Sequence, residues 1–183
     1  MKVILVRHPQ TIWNEKGLFQ GSGESKISAM GKFKTREFAA QTKRIRISSI
    51  YYADNKRCKY LTRELVRYHP EAKILKDNRL NERSFGILEG LSEKDYASKT
   101  NFDHKDYVGQ YKWNPKGGES LEKVSLRVKS FLKDLEKSES GGTAFIITSG
   151  GVIRTSLYIL GLMTLKEAMA LKIKNLEALV CKT

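Results

Sequence analysis

Two short apolar runs constrain the fold of this chain more than any other feature. Residues 2–6 read Lys-Val-Ile-Leu-Val, and residues 144–148 read Ala-Phe-Ile-Ile-Thr. Uninterrupted β-branched and apolar residues are typical of strands that are buried on both faces, as they are in parallel sheets. Both segments are therefore predicted to be buried strands.

Segments with helical spacing alternate with these strands. Helices are predicted over residues 29–43, 54–68, 121–135 and 152–160, and weaker strands over 47–53, 72–75 and 178–182. The clearest helix carries apolar residues at helical spacing: Leu121, Val124, Val128, Phe131, Leu132 and Leu135. Such alternation predicts the α/β class, with a three-layer α/β/α architecture and a mostly parallel sheet covered by helices on both faces. The length of 183 residues suits one domain over residues 1–183.

Several local features can be predicted in more detail. The helix over 29–43 has four candidate inward positions: Met30, Phe33, Phe38 and Ala39. Asp54 is the expected N-cap of the next helix. Residues 77–118 contain several glycines, so they are predicted to be irregular, with a short helix near 93–99.

The charge balance favours anionic partners. The chain has 34 Lys and Arg against 20 Asp and Glu, for a net charge of +14. These charges are scattered and form no long block of one sign, and no nucleic-acid-binding motif is present. A generally basic surface is therefore favoured over nucleic-acid binding, which stays the weaker alternative.

The lengths of the apolar stretches and the number of cysteines indicate the cellular compartment and whether a metal site is expected. The first apolar run stops at Arg7, which is too short for a signal peptide, and no stretch approaches the ~20 apolar residues of a membrane span. A soluble, cytoplasmic protein without membrane association is expected. Cys58 and Cys181 are too isolated to indicate a disulfide framework or a zinc site, so two free thiols and no metal are expected.

Polar residues follow both buried strands. Arg7-His8 comes after the first, and Ser149-Gly150-Gly151 comes after the second. Ligand sites in such sheets lie beyond the carboxyl ends of the strands. An arginine fork suits phosphate, a neutral imidazole nitrogen can attack phosphorus, and a glycine-rich helix start offers N–H groups to an anion. These residue types together indicate a site that handles phosphate.

Residues 7–14 (RHPQTIWN) resemble the opening motif of the histidine phosphatase superfamily, which includes cofactor-dependent phosphoglycerate mutases and small phosphatases. Pro9 departs from the motif, because the family usually has glycine there. Further segments resemble the family in the same order: 19–21, 28–31, 54–58, 80–90, 117–120 and 148–154. The resemblance covers most of the chain and implies a phosphoglycerate mutase-like fold.

The resemblance also implies a mechanism. His8 would accept the phosphoryl group and Glu82 would donate a proton to the leaving group, with no metal or cofactor. The implied phosphate-binding residues are Arg7, Asn14, Arg57, Ser149 and Gly150. The implied substrate loop carries Thr11, Gln20 and Gly21. The expected partner is a phosphorylated small-molecule substrate, and a homodimer stays an open alternative.

One position departs from the family at the centre of the chemistry. Ser149 stands where the resemblance places a second, cationic histidine. Serine donates a hydrogen bond but brings no charge, and losing one preorganised donor costs about 10²–10³ in rate. His69 and His104 are expected at the surface and offer no evident replacement. A weakened phosphomonoesterase is therefore predicted. The alternatives are a phosphate-binding pseudoenzyme, a mutase-type phosphotransferase, and a variant serine that preserves a bound complex.

Overall fold

Five strands form one sheet in the computed structural model, which describes residues 1–92, 94, 95, 98, 111–138 and 141–182. The strands are β1 (Lys2–Arg7), β2 (Ser49–Tyr52), β3 (Lys73–Lys76), β4 (Thr143–Thr148) and β5 (Ala178–Lys182). Their order is β3-β2-β4-β1-β5. Strands β1 to β4 pair in parallel, whereas β5 runs antiparallel to β1 at one edge. The predicted mostly parallel sheet is confirmed.

Six α-helices accompany the sheet among the described residues. They are α1 (Ile12–Glu15), α2 (Ala29–Gln41), α3 (Lys56–Val66), α4 (Leu121–Ser138), α5 (Gly150–Ile159) and α6 (Leu165–Ala170). α2 packs on α3, and α5 packs on both α4 and α6. The residues from Val3 to Val6 are all buried, and because successive strand side chains point to opposite faces, both faces of the sheet are covered. This agrees with the predicted α/β/α layers.

The residues predicted to face inward do so throughout helix α4 but only in part of helix α2. Every predicted inward residue of α4 is buried. In α2, by contrast, Met30 and Phe33 are 51% and 57% exposed, so their predicted inward position is wrong. The buried face of α2 consists of small or polar residues: Gly31, Thr35 and Ala39. A Cβ atom on Gly31 would collide with the carbonyl oxygen of Gln10, so the helix approaches its neighbour too closely for a large side chain.

Two further local predictions are corrected. Asn55, and not Asp54, caps α3, since its side chain accepts a hydrogen bond from the N–H of Cys58 at 2.9 Å. The carboxylate of Asp54 pairs instead with Lys76 at 3.0 Å. His69 is buried rather than at the surface. Its Nε2 lies 2.8 Å from the hydroxyl of Thr42, so the buried ring has a hydrogen-bond partner.

The region predicted to be irregular contains two short 3₁₀ turns, Asn78–Leu80 and Gly86–Leu88. The predicted short helix near 93–99 lies largely outside the described residues, and His104 lies wholly outside them. Within the part of the chain that the structure describes, no helix is long and apolar enough to cross a membrane.

Candidate active site

The carboxyl ends of β1 and β4 meet at one edge of the sheet. Arg7 is in register with Thr148, and the N–H of His8 donates to the carbonyl of Thr148 at 2.8 Å. His8 and Ser149 therefore follow neighbouring strands, which are ~4.8 Å apart. A cleft of about 300 Å³ opens at this edge. Of the predicted site residues, it is lined by Arg7, His8, Asn14, Gln20, Gly21, Arg57 and Glu82.

His8 is held as a neutral imidazole. It is 3% exposed, and its Nδ1 lies 2.8 Å from the carbonyl oxygen of Pro9. A carbonyl oxygen can only accept, so Nδ1 carries the proton and Nε2 keeps its lone pair. Burial, together with the charges of Arg57 and Arg7, holds the pKa of His8 well below its usual value. The uncharged, nucleophilic form is therefore the form present at neutral pH.

Arg57 is positioned by the loop that follows α1. It is only 1% exposed, which rules out a solvated helix arginine. Its Nη1 donates to the carbonyl of Gly23 at 2.9 Å, and its Nη2 donates to that of Gly21 at 2.7 Å. Gly21 has φ +52°, and a Cβ there would also lie 2.9 Å from the backbone nitrogen of Phe85. Glycine is thus required where the loop turns beneath the guanidinium.

Arg7 ends β1 with its guanidinium largely enclosed. Its Nη1 donates to the carbonyl of Ile173 at 2.5 Å, and its Nε has no partner among the described residues. Burial lowers the pKa of Arg7, and the nearby carboxylate of Glu82 opposes that effect. An arginine with an unpartnered, buried donor is suited to receive an anion.

Glu82 reaches across to the start of α5. One carboxylate oxygen accepts the N–H of Arg83 at 2.9 Å, and the other accepts the N–H of Gly151 at 3.4 Å. A Cβ on Gly151 would overlap the carboxylate. The glycine therefore allows Glu82 to approach the helix N-terminus, and it is one reason for a Gly-Gly pair at this point.

The predicted substrate-loop residues form a hydrogen-bonded group. Thr11 is buried behind the cleft and does not line it. Its hydroxyl donates to Oε1 of Gln20 at 2.9 Å, and its backbone N–H donates to Oδ1 of Asn14 at 3.1 Å. Thr11 and Asn14 form a capping box at α1, so Thr11 acts by fixing its two neighbours rather than by facing the cleft.

Ser149 and Gly150 are not among the residues that line the cleft. Ser149 is buried at the N-cap of α5, and its hydroxyl has no hydrogen-bond partner among the described residues. A Cβ on Gly150 would lie 3.7 Å from Cδ of Arg7. The start of α5 is thus packed against the arginine that precedes His8.

Sequence reasoning missed several residues of this site, among them Arg83, Asn175 and Arg154. The amide of Asn175 donates to the carbonyl of His8 at 2.9 Å and to Oδ1 of Asn14 at 3.3 Å. A loop asparagine so far along the chain carries no local signal of this role. Arg154 also lines the cleft, and its position four residues after Gly150, at helical spacing, could have indicated it.

Possible metal ligands and the two cysteines can be located among the described residues. That part of the chain holds no group of three or more His, Cys, Asp or Glu side chains able to bind a metal ion. Cys58 and Cys181 are both buried and free.

Comparisons with known proteins place the chain in a family. It matches the model of the histidine phosphatase superfamily (branch 1) over residues 3–182. It is 30% identical to phosphoserine phosphatase 1 of Hydrogenobacter thermophilus, over 81% of this chain and 70% of that protein. It is also 30% identical to a 2,3-bisphosphoglycerate-dependent phosphoglycerate mutase of Mesorhizobium japonicum, over 86% of this chain and 80% of that protein. The structure of mycobacterial glucosyl-3-phosphoglycerate phosphatase matches with a TM-score of 0.88 at 21% identity, covering 98% of this chain and 88% of that chain. The chain therefore belongs to the histidine phosphatase superfamily.

Proposed function

We propose that this protein is a phosphatase that hydrolyses a phosphomonoester through a phosphohistidine on His8. The observation that carries the proposal is the state of His8: a buried, neutral imidazole with a free Nε2, facing a cleft that it shares with Arg7 and Arg57. The phosphatases named among the similar proteins support the same chemistry.

In the first step, Arg7 and Arg57 bind the phosphate oxygens and Asn14 adds a neutral donor. Nε2 of His8 attacks phosphorus in line, so that a P–N bond forms while the bond to the leaving oxygen breaks. Glu82 acts as the proton donor and gives a proton to that oxygen, which leaves as an alcohol. The negative charge of the transferring group stays within reach of both arginines.

In the second step, a water molecule occupies the place of the departed alcohol. Glu82, now ionised, takes a proton from this water as it attacks phosphorus. The P–N bond breaks, inorganic phosphate forms, and His8 returns to its neutral state. The hydrogen bond from Nδ1 to the carbonyl of Pro9 keeps the same ring nitrogen facing the substrate in both steps.

Ser149 occupies, in this proposal, the position of the family's second catalytic histidine. Its place at the end of β4 beside His8 supports the assignment. A neutral hydroxyl contributes no charge to the transition state, so we expect turnover to be reduced by about 10²–10³ relative to a protein with histidine there.

A second candidate function follows from the same position. Because Ser149 weakens catalysis and leaves Arg7 and Arg57 in place, a non-catalytic protein that binds phosphorylated small molecules would show the same cleft. Retention of a neutral His8 argues against it, because a pure binding site needs no nucleophile.

The test is turnover of 4-nitrophenyl phosphate by the parent protein, His8→Ala and Ser149→His. The phosphatase proposal predicts measurable parent activity, none in His8→Ala, and a rise of about 10²–10³ in Ser149→His. Ser138→His is the matched control, since Ser138 ends α4 away from the cleft and should change nothing. No turnover in the parent or in Ser149→His would favour the binding protein.

A further inference from the structure

The cleft contains an arginine that the proposed mechanism leaves without a role. Arg154 lies four residues after Gly150 on α5, so the two positions share one helix face. Helical side chains lean toward the N-terminal end of their helix, and α5 begins directly after Ser149. Arg154 lines the cleft from the helix face that begins beside Ser149, which itself brings no charge.

The packing around α5 places this face against the phosphate-binding residues. The Cβ position of Gly150 lies 3.7 Å from both Cδ and Nε of Arg7. Arg154 and Arg7 line the same cleft, and the charge of Arg154 contributes, after burial, to the lowered pKa of Arg7. Arg154 therefore belongs to the same positive field as Arg7.

The hydrogen bonds of the cleft arginines differ in strength. Arg57 and Arg83 each donate two bonds of 2.9 Å or less to backbone carbonyls. Arg154 donates from Nη1 to the carbonyl of Leu171 at 3.3 Å, and its Nε, like that of Arg57, has no partner in the described part of the chain. The protein therefore holds the guanidinium of Arg154 by weaker hydrogen bonds than those of Arg57 and Arg83, which leaves it more available to an anion.

We propose that Arg154 is a catalytic residue whose guanidinium gives the transferring phosphoryl group the positive charge that Ser149 lacks. The charge that develops on the phosphoryl oxygens is stabilised best by preorganised donors in an enclosed site. No bond to Arg154 forms or breaks, and it acts by donating hydrogen bonds. This inference rests on the proposed phosphatase function.

A double-mutant cycle tests the replacement directly. With Ser149 present, Arg154→Gln should lower kcat for 4-nitrophenyl phosphate by about 10²–10³. In the Ser149→His background the same change should lower kcat less than about tenfold, because the introduced imidazolium takes over the charge. Equal losses in both backgrounds, or no loss in either, would overturn the proposal. A change in KM with constant kcat would also overturn it, since that result indicates ground-state binding only.

Two controls separate this effect from general ones. Arg63→Gln removes one positive charge from an exposed site on α3 outside the cleft and should leave kcat unchanged. Arg154→Lys retains the charge without the planar fork, and it should retain more activity than Arg154→Gln. If Arg154→Gln fails to fold, Arg154→Lys can be compared in both backgrounds instead. The proposal then requires that Arg154→Lys lower kcat more when Ser149 is present than when histidine replaces it.

Orthovanadate gives a readout that does not depend on turnover. Bound vanadate adopts the five-coordinate geometry of the transition state, whereas inorganic phosphate does not. Arg154→Gln should weaken vanadate binding by about 10²–10³ and phosphate binding much less. Equal weakening of both anions would contradict the role of Arg154. Absence of turnover in every variant would instead reject the phosphatase function and with it the catalytic role of Arg154, and a selective loss of vanadate binding would then show only that Arg154 contacts the bound anion.

Discussion

Gly151→Ala isolates the role of Glu82 without changing Glu82 itself. The Cβ atom added at position 151 would overlap one carboxylate oxygen and lie 3.2 Å from Cδ of Glu82. Ordinary contact requires about 3.5 Å or more, so the carboxylate must move by about 1 Å. A displacement of this size from the productive geometry costs about 10² in rate, or ~2.7 kcal/mol in activation free energy.

Stability should change in the opposite direction from activity. Gly151 lies in the first turn of α5, and alanine is favoured over glycine inside a helix by up to ~1 kcal/mol. The clash involves the far end of a side chain, so it can be relieved by rotation rather than by backbone movement. We therefore expect Gly151→Ala to unfold at an equal or higher urea concentration than the parent while turning over about 10² more slowly.

The assay compares two substrates with the neighbouring variant Gly150→Ala. Proton donation matters most for a poor leaving group, so the loss in Gly151→Ala should be larger for an alkyl phosphate than for 4-nitrophenyl phosphate. In Gly150→Ala the nearest contact is 3.7 Å, an ordinary distance, and the loss should be much smaller. Full activity in Gly151→Ala, or an equal loss for both substrates, would refute the assignment of Glu82 as the proton donor.

Three other predictions concern buried side chains, two of which line the same cleft. The pKa of His8 is lowered from 6.5 in the native protein, so as the pH falls His8 is protonated in the unfolded chain before it is protonated in the native one. Its contribution to the free energy of unfolding is therefore constant above about pH 6.5 and decreases below it. His8→Asn should reduce this slope in urea unfolding between about pH 7.5 and 5.5, leaving the part due to His69, whose pKa burial also lowers; an unchanged slope would contradict the buried, neutral His8. Arg57→Lys removes the fork that holds Gly21 and Gly23, and should cost about 1–3 kcal/mol of unfolding free energy as well as activity; parental stability would contradict the positions of those bonds. Burial raises the pKa of the Cys58 thiol to about 12, so the native protein should resist alkylation at about pH 8 while the urea-unfolded chain reacts, and rapid native labelling of Cys58 would contradict its burial.

The strands and the long helix could be predicted because their signals are local. β1 and β4 are short apolar runs, and α4 has a regular apolar stripe, so their positions follow from burial alone. In α2 the prediction holds for Phe38 and Ala39 but is wrong for Met30 and Phe33, since the close approach of Gly31 to the backbone of Gln10 decides how the first turns are oriented. That approach joins segments distant in the chain, and local periodicity does not describe it.

The candidate site likewise contains residues that local motifs reveal and residues that only tertiary contacts reveal. The Arg7-His8 pair and the Gly-Gly helix start could be recognised because motif and strand end coincide, and the pairing of β1 with β4 brings them together. Asn175 could not be recognised, because its two hydrogen bonds depend on how the final strand returns beside β1. The burial of His69 depends equally on a tertiary contact, with Thr42.

The most direct test of the central claim is detection of the phosphohistidine itself. The parent protein is mixed rapidly with a ³²P-labelled phosphomonoester and quenched in alkali, in which phosphohistidine survives. The account predicts protein-bound label that is lost in acid, is absent in His8→Asn, and maps to the peptide containing His8. Turnover without any labelled protein in the parent, or label that persists in His8→Asn, would contradict His8 as the phosphoryl acceptor.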